Sequence, residues 1–167
     1  MNKVPFLFTL IFFVLYKVIN HYTGEIWLPL LVFVVPVGLL IVNLMIRKSL
    51  RYKSWFLSSL NFLLERKSYT TKSEISSDLL FDKIIEVIDN SEFKLLDTDE
   101  DHFNILCGTS TNFLTWGENI YIQIETNEED TTSIQFVSTT LFGGSSWKRN
   151  QNNYESFIAS FEDSLTI

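Results

Sequence analysis

Ile120-Tyr121-Ile122-Gln123-Ile124-Glu125 is the stretch that decides how the second half of this chain folds. Three isoleucines alternate with Tyr121, Gln123 and Glu125. Successive side chains of a strand point to opposite faces, so this reads as a strand in a sheet with one buried face. One-sided burial is characteristic of antiparallel sheets. Working outward, Phe93 to Thr98 and Phe103 to Thr109 read as strands flanking the acidic turn Asp99-Glu100-Asp101. Beyond a second acidic turn, Glu128-Glu129-Asp130, the stretch Ser133 to Thr140 reads as a strand with Ile134 and Phe136 inward.

Two helices frame these strands. In Ser77 to Asp89, Phe81, Ile84, Ile85 and Ile88 fall at the spacing of one helix face, while Asp78, Asp82, Glu86 and Asp89 face away. Ser76 or Ser77 can cap its start. The last helix is expected from about Asn152 to Leu165, with Tyr154, Phe157, Ile158, Phe161 and Leu165 as its apolar stripe. Before the first helix, Ser68 to Ile75 alternates roughly and reads as a strand, although Thr71-x-x-Glu74 also fits a capping box that would start the helix earlier. The expected order is β-α-β-β-β-β-α, an α+β two-layer sandwich with an antiparallel sheet, over residues 68–167.

The first third is different in kind. An apolar segment runs from Val4 to Ile19 and extends to Tyr22 if Lys17 snorkels; a second, Ile26 to Ile46, carries no charge. A membrane core of about 30 Å takes roughly 20 helical residues, so residues 1–48 read as a transmembrane helical hairpin with spans at about 4–22 and 26–46. A signal peptide is the rival reading of the first segment, but no cleavage pattern follows it. Pro36 and Gly38 are ordinary in such a helix, and Asn43 could hydrogen-bond across the pair. Arg47, Lys48, Arg51 and Lys53 crowd the end of the second segment, with Trp55 beside them. By the positive-inside rule these residues would sit at the cytoplasmic interface of the cell membrane, with both termini inside. Residues 49–67 then read as a basic, amphipathic linker lying on the bilayer.

Charge is divided along the same line. From Ser68 onward there are 18 acidic and 5 basic residues, a net of −13; before it, 8 basic and 2 acidic, a net of +6. An acidic domain is repelled by phosphate backbones, so nucleic acid is not an expected partner. The bilayer, a protein partner, or a second copy joined through the apolar helices are the partners this pattern suggests.

Two motifs resemble a known pattern: Thr115-Trp116-Gly117-Glu118-Asn119-Ile120, and Ser146-Trp147-Lys148-Arg149-Asn150-Gln151-Asn152-Asn153 leading to Phe157. Together they resemble an uncharacterised bacterial domain often found in small membrane proteins, loosely similar to DUF1499-type domains. The resemblance spans about residues 69–165, with Lys148 standing where that pattern has glycine. It implies an α+β domain with a closing helix and brings no activity with it.

Candidate sites are few. His102 beside the acidic turn lacks the ligand spacing of a zinc or calcium site, so no metal is expected. His102 and Cys107 point to opposite faces of one strand and make a poor base and nucleophile. Gly143-Gly144-Ser145-Ser146 lacks the spacing of a phosphate-binding loop. What remains is a possible ligand or partner contact formed by Trp116, Trp147, Lys148, Arg149, Asn150 and Asn153; the bland alternative is a turn with an asparagine cap. The expected function is a membrane-anchored, non-catalytic binding or interaction module without cofactor. The alternative is a two-span effector or immunity protein of bacterial conflict, and no enzyme is expected because no nucleophile–base pair is visible.

Overall fold

The computed structural model describes residues 13–14, 16–22, 24, 27–61, 63–110, 116–126, 131–141 and 148–165, with only the backbone at 28, 29 and 33. The chain divides into two compact units, Met1–Leu44 and Met45–Ile167.

In the first unit, residues 16–22 are helical. Gly24 follows at φ 64°, its N–H donating to Asn20 O at 3.1 Å, which is how a left-handed glycine closes a helix. Helix α1, Trp27–Ile46, contains Pro36, which removes one rung of the hydrogen-bond ladder. Among the described residues no helix is long and apolar enough to cross a membrane. That overturns the transmembrane hairpin, and with it the multi-pass cell-membrane location with both termini inside. Most of the first expected span lies outside the described residues. For the second span, the expected orientation depended on its basic flank, and the physical reason for the correction lies there. Arg47 and Lys53 hydrogen-bond to groups of the β-sheet and its strand entry, so they are held by protein groups and do not lie on a head-group surface as expected.

The second unit has the expected α+β order. Strand β1 is Glu65–Ser73, followed by helix α3, Ser77–Asp89, then β2 Lys94–Asp99, β3 Asn104–Gly108, β4 Glu118–Thr126, β5 Thr132–Thr140 and helix α4, Arg149–Leu165. A short helix α2, Lys53–Phe56, precedes β1. The five strands form one antiparallel sheet in the order β1-β5-β4-β3-β2. β1 begins three residues earlier than the alternation suggested, because Glu65, Arg66 and Lys67 pair with Thr140, Thr139 and Ser138. A ladder can recruit polar residues at a sheet edge that carry no apolar signal.

Register fixes what each face carries. Ile122 lies between Ile105 and Phe136, and Ile120 beside Cys107. With Ile124 and Ile134 these residues meet Leu80, Phe81, Ile84 and Ile88 of α3 and Phe157 and Phe161 of α4 in one buried core. Tyr154 stacks on Tyr69 at 4.0 Å, its hydroxyl 2.7 Å from that of Thr71, and ties the last helix to the edge strand. Leu165, expected in the apolar stripe, is exposed. Ser76 holds the N-cap position of α3 without a side-chain cap bond; Ser77 instead hydrogen-bonds Thr126.

Cys107 is buried in this core, and burial raises its thiol pKa far above the usual range. Alkylation of the folded protein by iodoacetamide at pH 8 is therefore expected to be at least about 100-fold slower than in urea, limited by opening of the structure. Mass spectrometry over a time course measures this directly.

The other face of the sheet is covered by the segment read as a membrane-surface linker. Ser49 accepts from Arg51 N–H and caps a 3-10 turn, Leu50–Tyr52, which leads into α2. Leu50 N–H donates to the Asp97 carboxylate at 2.8 Å. Lys53 Nζ donates to Asn104 Oδ1 at 2.7 Å and Gln123 Oε1 at 2.6 Å. Phe56 is 1% exposed and packs near the Tyr121 ring. Burying a phenylalanine contributes about 2–3 kcal/mol, enough to hold such a strap. Residues 45–61 thus add a third, irregular layer that the two-layer reading lacks. Lys48 and Arg51 remain exposed and Trp55 is half-buried.

Tyr121 lies under this strap, and burial pushes its hydroxyl pKa up to about 12, against the smaller lowering effects of Asn119 and Arg47. The neutral form is favoured in the folded state. The associated stability is complete below about pH 10, where the unfolded tyrosine begins to ionise, and is lost as pH rises towards 12. Urea unfolding from about pH 9 to about pH 12 should show a fall that Tyr121→Phe reduces by about 1–3 kcal/mol.

Candidate functional site

Glu118 opens β4 in the same alternation as Ile120, Ile122 and Ile124, so its side chain falls on the helix-facing side of the sheet. The side chain is 3% exposed. A buried carboxylate must be paired and hydrogen-bonded. Arg149, the first residue of α4, supplies the partner: its Nη1 donates to Glu118 Oε1 at 3.0 Å. The Thr109 hydroxyl donates to Oε2 and accepts from the Glu118 N–H at 2.9 Å. Thr109 N–H in turn donates to Glu118 O at 3.0 Å. Gly108 permits this approach, because a Cβ there would come within 3.2 Å of Glu118 O.

Behind the ion pair lies a buried polar cluster. Ser138 Oγ donates to Asn150 Oδ1 at 2.7 Å and accepts from Asn153 Nδ2 at 3.2 Å. Asn150 Nδ2 is buried and has no partner among the described residues. The start of α4 is thus pinned to β5 by asparagines, while its later turns are pinned by phenylalanines.

The ion pair forms one wall of a cleft of about 310 Å³, lined by Glu92, Thr109, Ser110, Glu118, Arg149, Asn152 and Asn153. Its walls come from the segment after α3, the end of β3, the start of β4 and the first turn of α4. The cleft offers guanidinium, amide and hydroxyl groups together with carboxylates, so it suits a small polar molecule.

Of the expected contact residues, Arg149 and Asn153 line the cleft and Asn150 supports it from behind. Lys148 is exposed at the start of α4. Trp116 is half-exposed, with its carbonyl engaged by Arg47. Trp147 and the glycine-rich turn at 143–146 lie outside the described residues. Glu92, Thr109, Ser110, Glu118 and Asn152 are cleft residues that the sequence did not single out. For Glu118 a signal existed: a charge in phase with three inward isoleucines needs a buried partner. Nothing local could identify Thr109 or Glu92, which reach the cleft only through strand pairing and the end of α3.

His102 and Cys107 are apart from the cleft. His102 sits in the exposed β2–β3 turn with Nδ1 3.0 Å from the Asp99 carboxylate. Cys107 belongs to the core. Among the described residues no group of three or more His, Cys, Asp or Glu is placed to hold a metal ion.

No family model and no curated protein matches the sequence. Solved structures that are similar to it include Ara h 8.0201, with a TM-score of 0.49 and 10% identity over 62% of this chain and 99% of that one. The ZhuI aromatase/cyclase from Streptomyces sp. R1128 gives 0.39 and 9% over 62% and 87%. The major latex-like protein 151 of Panax ginseng gives 0.42 and 8% over 62% and 95%. At these scores they carry no argument about what this chain does.

Proposed function

We propose that the unit formed by residues 45–167 is a non-catalytic binding module that takes a small polar ligand in the cleft beside Glu118 and Arg149. The observation that carries this reading is the ion pair itself. A buried carboxylate held by Thr109 is paired with a half-buried guanidinium at the wall of a cleft lined by polar residues, an arrangement that costs stability compared with apolar packing. A site that presents such groups to a ligand gives that cost a purpose. About 310 Å³ lies at the small end of ligand pockets, which suits a metabolite rather than a peptide. The Glu118 carboxylate is engaged by Arg149 and Thr109, and Cys107 is buried in the core, so the described groups serve recognition better than catalysis.

The test is thermal unfolding of the full chain against a panel of amino acids, dicarboxylates, sugar phosphates and polyamines. A ligand at about 100 times its Kd stabilises by about 2.7 kcal/mol and should raise Tm by several degrees. The rise should vanish in Arg149→Ala. A panel that leaves wild type and Arg149→Ala equally unshifted, or a ligand that shifts both alike, would remove the cleft from the reading.

A further inference from the structure

The neighbours of Glu118 in the chain are held from the outer face of the sheet, while its carboxylate is held on the helix side. Arg47 Nη1 donates to Trp116 O at 2.5 Å, two residues before it. The Arg47 carbonyl accepts from Asn119 Nδ2 at 2.6 Å, one residue after it. Between the two contacts sits Gly117 at φ 76°, a left-handed joint with no side chain to stiffen it. Arg47 is only 9% exposed. Burial lowers its pKa, while the Glu118 carboxylate and Tyr121 act in the opposite direction.

We propose that Arg47 is a positioning residue of the cleft, holding Trp116–Asn119 from the outer face of the sheet so that the Glu118 carboxylate meets Arg149 and Thr109 on the inner face. This rests on the binding reading only for its meaning, since the effect belongs to the ligand-free protein. One guanidinium nitrogen on Trp116 O and the Arg47 carbonyl on Asn119 Nδ2 hold the strand entry at two points, one on each side of Glu118. Displacing the strap at Arg47 loosens the cleft on the far side of the sheet.

The experiment uses the full chain without ligand, reading the Arg149 Nε–H resonance and the amide exchange of Thr109 and Glu118. In Arg47→Met the Arg149 resonance should move towards that of a free guanidinium, as it does on Glu118→Gln. Exchange at the two amides should rise at least about tenfold while Tyr69 and Phe136, in the β1–β5 ladder, keep their protection. Arg47→Lys should fall between Arg47→Met and wild type. An unmoved Arg149 resonance with unchanged amides, in a variant whose β1–β5 ladder is intact, overturns the proposal. If Arg47→Met does not fold, Arg47→Lys decides: a wild-type Arg149 resonance overturns it and an intermediate one supports it. No ligand is added, so failure here is distinct from failure of the ligand panel.

Discussion

Phe157→Ala is expected to destabilise the α+β unit by about 3–5 kcal/mol. Phe157 is fully buried. Its ring lies 5.1 Å from that of Phe136 on β5 and 6.1 Å from that of Phe161, one turn further along α4. Removing it deletes the apolar area that holds the last helix to the sheet and leaves a void whose walls belong to more than one element. Rigid strands cannot collapse into such a void, so the cavity cost adds to the transfer cost. Urea unfolding followed by far-UV circular dichroism measures the change. A loss below about 1 kcal/mol would mean that α4 does not depend on this contact. Phe157→Leu should recover more than half of the loss, because it restores most of the volume.

Glu118→Ala is expected to have the next largest effect. It leaves Arg149 without its carboxylate and Thr109 without its acceptor, at a cost of about 2–3 kcal/mol. The figure sits below that for a fully buried pair because the Arg149 side chain is 35% exposed and water can reach it. The informative comparison is a double-mutant cycle with Arg149→Met. If the two side chains interact as the geometry shows, the double variant should be more stable than the sum of the single losses by about 1–2 kcal/mol. Additive losses would mean that the two side chains contribute no coupling and that Glu118 and Arg149 do not act as a pair.

Particular residues show what could be read without coordinates. The alternation around Ile122 and the helical spacing of Phe81, Ile84 and Ile88 were sufficient for the sheet, for α3 and for the order of elements, because each periodicity is a local consequence of backbone geometry. Arg149, Asn150 and Asn153 were legible as a group because they are close in the chain; that they share the start of a helix came with the structure, since the helix was expected to begin at Asn152. Glu118 was not singled out, although its phase with three inward isoleucines could have flagged it; its partners could not be read at all. Arg149 is 31 residues away and Thr109 is 9 away, and only the sheet and the docking of α4 bring them to one point.

Residues 45–61 show the opposite case. Their basic and aromatic residues fit a membrane surface as well as they fit a protein surface, since both bury apolar stems and leave charges at an edge. What a strap covers depends on which face of the sheet is left open, and no property of the strap itself contains that information. By itself the sequence determined the local elements and their order, because hydrophobic periodicity follows from the 3.6- and 2-residue repeats of helix and strand. That Arg47, Lys53 and Phe56 face a sheet, and that Glu118 pairs with Arg149, emerged only once the chain was folded. Those facts depend on contacts between residues distant in the chain, and local geometry does not encode which distant partner fills a given space.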